Sequence, residues 1–461
     1  MSLAQLLEDG SPVMDLAERF RVAGHSLYLV GGPVRDAFLG RPSLDLDFAT
    51  DAEPETTVKI VEPVAAAVWL QGIKYGTVGA RIDDTPVEIT TFRTEKYQPS
   101  SRHPKVKFAP DIETDLARRD FTVNAMAVRL PDRSPVDPYG GLQDLKDKYL
   151  RTPMDPHDSF GDDPLRMLRA FRFASQLDFK IDKQVLEAIT EMREELKTIS
   201  AERIRDELSK LICGSAPARA LRLADSTGIT ELFLPELVEL KLEQDPVHRH
   251  KDVFQHTLAV VERTDPILEL RLAALLHDIG KPKTRRFTPE GVTFHHHEVV
   301  GAKMAARRLE ELRYPNEVVE TVRTLIFLHH RFYGYGQTDR WTDSAVRRYV
   351  RDAGDRLKLL NALIRADCTT RDQAKARMLS LLIDDLEERI ERLEEEEEIS
   401  RIRPELDGRR VMEHLGIEPG PLVGEALDFL LEIRLEEGLI GEQEAYRRLD
   451  GWAKDKGIGT R

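Results

Sequence analysis

The stretch Leu29-Val30-Gly31-Gly32-Pro33-Val34-Arg35-Asp36 decides the fold of the first third of the chain. An apolar run that ends in two glycines predicts a buried strand followed by a turn, and proline suits the first turn of a helix after it. Because glycine has no Cβ, the backbone amides of the turn can approach an oxyanion, and Arg35 adds a planar cation. The stretch predicts either a phosphate-binding turn or an ordinary tight turn.

A pair of aspartates follows in Leu44-Asp45-Leu46-Asp47-Phe48. In a strand, this alternation buries the apolar residues and places both carboxylates on the opposite face, roughly 7 Å apart along the backbone. Mg²⁺ prefers hard oxygen ligands and often shares them with phosphate. We expect Asp45 and Asp47 to bind Mg²⁺, with Glu88 as a candidate third carboxylate. The alternative is an exposed strand face.

Arginines are concentrated in two later segments, residues 118–125 and 162–174. In the second segment, Arg166, Arg169 and Arg172 recur every three residues and would share one side of a helix. Their positive charges would repel one another, and this repulsion predicts an anionic ligand that relieves it. Asp163, which stands before a proline, is also typical of a helix N-cap.

Asp163 and Arg166 together match one class of base edge. Cytosine and adenine present an amine donor beside a ring-nitrogen acceptor, whereas uracil and guanine present a carbonyl beside an N–H. A carboxylate that accepts from the amine and a guanidinium that donates to the ring nitrogen would select C and A. The pair predicts nucleotide selection without a nucleic-acid template.

The order of these motifs resembles that of the bacterial class II CCA-adding enzymes, tRNA nucleotidyltransferases related to bacterial poly(A) polymerases. The resemblance covers roughly residues 27–225 and includes Gly140-Gly141. It implies catalytic Asp45 and Asp47 with Mg²⁺, CTP and ATP as substrates, and the tRNA acceptor arm as partner. The residues that it implies for nucleotide binding are Gly31, Gly32, Arg35, Arg119, Asp120, Asn124, Asp163, Arg166, Arg169 and Arg172.

The product is predicted from one further segment, residues 91–104, which resembles the long loop of enzymes that add the terminal A. Relatives that add only CC lack this loop, so full CCA addition is favoured over A-only addition and over poly(A) synthesis. One departure from the family is Asp162, where a glutamate is usual, and the shorter side chain would alter how Arg166 is held. A catalytically inactive RNA-binding protein is disfavoured because both metal aspartates are present.

A second candidate site lies in a histidine-rich region. Imidazole and carboxylate together suit divalent transition metals better than Mg²⁺. The pattern resembles the HD phosphohydrolase superfamily, including Gly280-Lys281, and predicts a metal-dependent phosphodiesterase or phosphatase as an additional or even the main activity. The alternative is a set of structural histidines. The candidate ligands are His256, His277, Asp278, His297, His329 and Asp367.

The fold class expected from these resemblances is α+β, with a polymerase-β-like nucleotidyltransferase head (a mixed sheet with helices) followed by all-α neck, HD and tail domains. The expected bounds are 1–150 for the head, 151–240 for the neck, 245–375 for the HD domain and 376–461 for a tail with an acidic helix. We leave the oligomeric state open.

Composition limits where RNA can bind. Lys and Arg number 68 against 82 Asp and Glu, a net charge of −14, so the chain lacks the general positive charge of a protein that coats nucleic acid. Residues 384–398 contribute a net −8 of this charge, and we expect their helix to face solvent away from the tRNA. Two cysteines, no leader and no long apolar run predict a cytoplasmic protein without a membrane span.

Overall fold

The computed structural model describes residues 7–41, 46–83, 85–96, 105–242, 252–289, 291–335, 341–368, 373–397, 399 and 402–458. The chain forms two compact units. One comprises residues 1–238 with 311–313, and the other comprises residues 239–310 with 314–461.

The first unit is built on a seven-stranded mixed sheet with the strand order β3-β4-β5-β2-β1-β8-β9. Strand β2 runs parallel to β5 and antiparallel to β1. The residues of β1 are all buried, as a central strand requires. The strands are β1 (Leu27–Val30), β2 (Leu46–Thr50), β3 (Ala67–Trp69), β4 (Thr77–Ile82), β5 (Thr85–Thr91), β8 (Ala127–Leu130) and β9 (Ser134–Val136).

Two short ladders accompany this sheet: a hairpin of β6 (Arg93–Lys96) and β7 (Lys105–Phe108), and a parallel pair of β10 (Tyr149–Leu150) and β11 (Lys180–Ile181). The helices of the unit are α1 (Pro12–Val22), α2 (Gly32–Phe38), α3 (Pro54–Val61), α4 (Ile112–Ala117), α5 (Gly141–Asp147), α6 (Pro156–Asp162), α7 (Arg166–Leu177), α8 (Lys183–Met192), α9 (Ala201–Ile212), α10 (Pro217–Ser226) and α11 (Pro235–Val238).

The second unit is helical apart from a hairpin of β12 (Arg286–Thr288) and β13 (Gly291–Thr293). Its core is lined by α13, whose residues from Leu270 to Leu276 are all buried. The helices are α12 (Val253–Arg263), α13 (Leu268–Leu276), α14 (Lys281–Thr284), α15 (His297–Glu311), α16 (Asn316–Leu328), α17 (Asp343–Ala353), α18 (Leu357–Asp367), α19 (Gln373–Glu397), α20 (Gly408–Leu415), α21 (Pro421–Glu437) and α22 (Glu442–Asp455).

The acidic helix α19 ends in a buried ion-pair group. Glu397 accepts from Arg347 Nε at 3.0 Å and from Arg434 Nη1 at 2.9 Å, and both arginines are almost fully buried. The same helix buries Ile383 and Leu386 on its apolar face. The acidic end of α19 is therefore fixed to α17 and α21 by charge.

The segment before β8 contains a turn where its β-branched and apolar residues favour a strand. From Val123 to Arg129 the composition is typical of a single strand, but Thr122–Asn124 forms a turn of 3₁₀-helix and β8 begins only at Ala127. The turn forms because Asp120 Oδ1 accepts from the Phe121 amide at 2.8 Å and from Asn124 Nδ2 at 2.9 Å. Such local side-chain bonds offer the backbone an alternative to a sheet ladder.

Candidate active sites

The diglycine turn is shaped by an arginine. Gly31 has φ +73°, a left-handed conformation that favours glycine, and a Cβ built there would lie 2.5 Å from Arg119 Nη1. The turn thus lets the Arg119 guanidinium lie against the backbone where β1 becomes α2. Gly31 and Arg119 are thus neighbours, and the nucleotide-binding role that the resemblance implies for Gly31, Gly32 and Arg119 stays a prediction.

Arg35 begins a connected polar chain. Its Nη1 donates to Asn124 Oδ1 at 2.6 Å, and its Nε donates to Asp36 Oδ1 at 2.9 Å. Asn124 in turn donates to Asp120, and Asp120 Oδ2 accepts from Arg169 Nε at 2.8 Å. The chain joins α2, the 3₁₀ turn and α7, so residues that are far apart in sequence form one site.

The pKa of Asp120 shows the strength of this chain. Burial alone would raise the pKa of the carboxyl, but the Arg169 guanidinium and the Asn124 hydrogen bond hold it well below its usual value. Asp120 is therefore a fixed negative charge at neutral pH. It orients Arg169 rather than taking part in proton transfer.

Two of the α7 arginines, Arg169 and Arg172, lie beside carboxylates of the protein, so part of their repulsion is offset without the anionic ligand that the sequence predicts. Glu207 Oε1 lies 3.2 Å from Arg172 Nη1 and 3.6 Å from Arg169 Nη1. The Arg172 guanidinium also lies 4.1 Å from the ring centroid of Phe173. Burial, followed by the charge of Arg169, lowers the pKa of Arg172 to about 10.

Asp163 and Arg166 lie close in sequence, but each side chain has its own protein partners. Asp163 Oδ2 accepts from Arg203 Nη2 at 2.9 Å, and Oδ1 accepts from the Leu165 amide at 3.1 Å in the turn before α7. The N-cap position of α7 is Leu165, without a side-chain capping bond, so Asp163 is not the N-cap that the sequence predicts. Arg166 donates to Ser159 Oγ at 2.9 Å and to the Arg118 carbonyl. Reading of a base edge by this pair stays a prediction.

Two residues of this site, Arg203 and Glu207, were missed by the sequence reasoning. Both belong to α9, where Glu207 is buried in a stripe with Ile204, Leu208 and Leu211. A glutamate inside an apolar stripe is rarely buried without a partner. The position of Glu207 within an apolar stripe was therefore the sequence signal for a buried charge with a partner.

Asp47 lies on β2 between buried Leu46 and Phe48, and the alternation is confirmed for this part of the strand. The parallel register pairs Asp47 with Glu88 on β5, so the candidate third carboxylate lies on the neighbouring strand at the same level. Asp45 lies outside the described residues, as do residues 97–104 of the loop from which CCA addition was predicted.

The second unit brings all six predicted metal ligands together. They form two groups of three residues, and within each group the ligand atoms lie within 4.8 Å of one another. Asp278 links the groups, because its Oδ2 is 3.3 Å from His277 Nε2 and its Oδ1 is 3.7 Å from His297 Nε2. The groups are His256, His277 and Asp367, and Asp278, His297 and His329.

Backbone carbonyls fix the orientation of three of these histidines. The Nδ1 atoms of His277, His297 and His329 lie 2.9, 2.9 and 2.6 Å from the carbonyl oxygens three residues before each of them. Since a carbonyl only accepts, each Nδ1 must carry the proton, and each Nε2 is left to bind a metal. This is the arrangement usual for histidine ligands.

Electrostatics set the charge of three of these ligands, Asp278, Asp367 and His329. Despite burial, the paired histidines hold the pKa values of Asp278 and Asp367 well below their usual range. Burial, followed by repulsion from His277, lowers the pKa of His329 to about 3. Carboxylates that stay ionised and a neutral imidazole are the forms that coordinate metals.

Family models match three parts of the chain. Residues 27–151 match the poly A polymerase head domain, residues 178–240 match the probable RNA and SrmB-binding site of polymerase A, and residues 253–372 match the HD domain. The A-adding tRNA nucleotidyltransferase of Deinococcus radiodurans is 35% identical over 445 residues, which cover 93% of this chain and 95% of that protein. The chain belongs to the tRNA nucleotidyltransferase and poly(A) polymerase family, with a fused HD domain.

Other members of the family match the chain over different lengths. The CCA-adding enzyme of Pediococcus pentosaceus is 40% identical, but the match spans 54% of this chain and 61% of that enzyme. Over the whole fold, the Bacillus stearothermophilus CCA-adding enzyme in complex with CTP is similar with a TM-score of 0.68 and 26% identity, covering 97% of this chain and 98% of that one. The Thermotoga maritima CCA-adding enzyme complexed with tRNA-CCA shares the fold, with a TM-score of 0.57, 20% identity and 98% coverage of each chain.

The resemblance and the α+β fold class inferred from sequence are thus confirmed. Within the described residues, no helix is both long enough and apolar enough to span a bilayer.

Proposed function

We propose that this family member adds CCA to the 3′ end of tRNA by template-independent transfer of CMP and AMP from CTP and ATP. The observation that carries the proposal is the polar chain from Arg35 through Asn124 and Asp120 to Arg169, beside the glycine turn that Arg119 contacts. The end of β1, which leads into the glycine turn, pairs with the part of β2 next to Asp47. Nucleotidyl transfer needs metal-binding carboxylates at this place, beside the triphosphate. Handling of tRNA and nucleoside triphosphates is consistent with a cytoplasmic protein.

Arginines of this region supply the contacts for the triphosphate. The Nε atoms of Arg119 and Arg172 are buried and have no hydrogen-bond partner within the described part of the chain. Buried donors without partners are costly, so a polar ligand would stabilise them. We propose that Arg119, beside Gly31, binds phosphate and that Asp163 with Arg166 selects the base of CTP or ATP.

The carboxylates present on the sheet fit Mg²⁺. Asp47 and Glu88 offer hard oxygen atoms on adjacent strands, and Asp45 adds a second aspartate by sequence. When bound, Mg²⁺ would lower the pKa of the primer hydroxyl and neutralise charge on the departing pyrophosphate. The residues themselves hold the triphosphate and the base in position, which is most of what such a reaction requires.

A-only addition is the second candidate, because one relative that matches over nearly the full length is an A-adding enzyme. The two products are separated by mass analysis of three primers: tRNA without CCA, tRNA ending in C and tRNA ending in CC, each with CTP, ATP or both. CCA addition predicts growth of the first primer by three nucleotides when both triphosphates are present. Growth of only the CC primer, by one A, would assign A-only addition, and long A tracts on unrelated RNA would assign poly(A) synthesis.

We also propose that the HD unit hydrolyses phosphate esters at RNA ends with two divalent transition metals. The two ligand groups that Asp278 links support a pair of ions, and imidazole with carboxylate favours metals such as Mn²⁺, Ni²⁺ or Zn²⁺. In the reaction, water adds to phosphorus, one P–O ester bond breaks, and the leaving oxygen takes a proton. When bound by these residues, the metals would activate the attacking water.

The test uses the full chain with bis(p-nitrophenyl) phosphate and each metal in turn. Asp278→Asn is expected to abolish release of nitrophenol and to leave CMP incorporation intact. Asp47→Asn, made in the other unit, is the reciprocal control. Absence of phosphoesterase activity with every metal, or equal loss of both activities in Asp278→Asn, would leave the histidine cluster a structural role.

A further inference from the structure

The β12–β13 hairpin carries an exposed aromatic side chain beside a basic segment. Phe287 is 70% exposed, and the Arg285 guanidinium lies 4.6 Å from its ring centroid. Lys283 and Arg286 are exposed on either side of Arg285. The segment from Lys281 to Thr288 contains four basic residues and no acidic one.

The chain segments before and after the hairpin both lead to candidate metal ligands. Lys281 begins the short helix before β12, and its Nζ lies 2.6 Å from Asp278 Oδ2 and 5.7 Å from the Phe294 ring centroid. His297 follows β13 by four residues. The chain therefore leaves the cluster after Asp278, forms the hairpin and returns to the cluster at His297.

The hairpin lacks an internal reason to hold Phe287. Its strands have only three residues each, and every residue of β12 is exposed. A two-stranded hairpin gains little stability in water, and an exposed phenylalanine adds none. An aromatic ring with a guanidinium against it and further cations nearby is instead the composition of a platform for unpaired nucleotides.

We propose that this hairpin, formed by β12 (Arg286–Thr288) and β13 (Gly291–Thr293), is the RNA-binding arm of the HD site. A base of single-stranded RNA stacks on Phe287, and Arg285 and Arg286 contact the phosphates that lead to the end held at the metal cluster. The proposal rests on the proposed phosphohydrolase activity for its substrate, an RNA end that carries a terminal phosphate ester. It adds to that activity a selection for polymeric RNA over small phosphodiesters.

The kinetic test compares two substrates in the metal-loaded full chain: a pentanucleotide RNA that ends in a 2′,3′-cyclic phosphate, and bis(p-nitrophenyl) phosphate. Phe287→Ala is expected to raise KM for the RNA about 10-fold, which corresponds to ~1.4 kcal/mol, while kcat/KM for the small substrate stays unchanged. Phe287→Trp is expected to restore the RNA KM. Ile267→Ala removes an apolar side chain that is 43% exposed elsewhere in the unit and serves as the matched control.

A binding readout keeps the arm testable if no hydrolysis is found. A pentanucleotide with 4-thiouridine at one internal position, tried at each of the three internal positions in turn, is cross-linked to the full chain, and the modified peptide is identified by mass spectrometry. Cross-links within residues 286–293 that disappear in the Arg285→Ala, Arg286→Ala double variant but persist in Lys303→Ala would support the arm. An unchanged RNA KM in Phe287→Ala, equal loss on both substrates, or cross-links that avoid the hairpin would overturn it.

Discussion

Arg169 Nε donates to Asp120 Oδ2 at 2.8 Å, which ties the helix that follows the head to the turn that follows the paired arginines. Asp120 is nearly inaccessible to water, and its other oxygen holds Asn124, the partner of Arg35. One carboxylate thus positions two arginines from two segments, Arg169 directly and Arg35 through Asn124. These hydrogen bonds connect the polar site within the protein itself.

Removal of the Asp120 carboxylate should lower the free energy of unfolding and reduce its dependence on pH. For Asp120→Ala we expect a loss of about 1.5–3 kcal/mol in the free energy of unfolding of its unit, because the half-buried Arg169 guanidinium loses a charged hydrogen-bond partner. The pKa of Asp120 is depressed by folding, so its contribution is complete above the unfolded pKa near 4 and is lost as the pH falls below it. Urea unfolding at pH 7 and at pH 3.5 should show a smaller difference between wild type and variant at the lower pH. A difference independent of pH would contradict the ionised state.

The contact of Gly31 with Arg119 predicts a specific effect of a single methyl group. Gly31→Ala would place a Cβ 2.5 Å from Arg119 Nη1, and we expect KM for CTP to rise at least ~10-fold as the guanidinium is displaced. Gly40→Ala is the matched control, since Gly40 also has positive φ (+67°) but nothing lies within 4 Å of the added Cβ. Both variants carry the backbone strain, and only the first disturbs Arg119. Equal KM values in the two would remove Arg119 from triphosphate binding.

Arg203 should act on nucleotide choice through Asp163. It donates to Asp163 Oδ2 at 2.9 Å, so Arg203→Ala leaves that carboxylate free to move, and we expect the preference for CTP over UTP to fall by roughly 10-fold. The measurement is the ratio of kcat/KM values for the two triphosphates. A residue with only a structural role would lower both values together and leave their ratio unchanged. Lys210→Ala, an exposed change on the same helix, is the control.

The Tyr333 hydroxyl holds Asp367, one of the six candidate metal ligands of the HD unit, in position. It donates to Asp367 Oδ2 at 2.8 Å, and burial followed by the Asp367 charge raises the pKa of Tyr333 above its usual value, so the phenol remains a donor. Tyr333→Phe should weaken Mn²⁺ binding by about 10–100-fold, as is typical when a ligand loses its hydrogen-bond partner. Isothermal titration of the metal-free chain measures this change. Tyr335→Phe, whose hydroxyl bonds Asp385 instead, should bind Mn²⁺ as wild type does, and matching losses in the two variants would sink the assignment.

Several features could be read from sequence because they depend on local order. The apolar run before Gly31 specified β1, and the alternation around Asp47 specified which side of β2 is buried. The six ligands of the HD unit were recognisable because each is a histidine or an aspartate in a characteristic spacing. Local periodicity and residue chemistry act over a few residues, and a sequence displays them directly.

Other features were decided only by tertiary structure. Sequence order alone could not show that Asp120 would pair with Arg169 or that Glu207 would lie beside Arg172. The residues of these pairs are 49 and 35 positions apart in the chain. Sequence order also gave no sign that Arg203 holds Asp163 or that a turn, and not a strand, follows Asp120. Buried charges choose partners by proximity in three dimensions, since desolvation makes an unpaired charge costly wherever its partner lies in the chain. The sequence thus determined which chemical groups this protein carries, and the packing of its helices determined which of those groups act together.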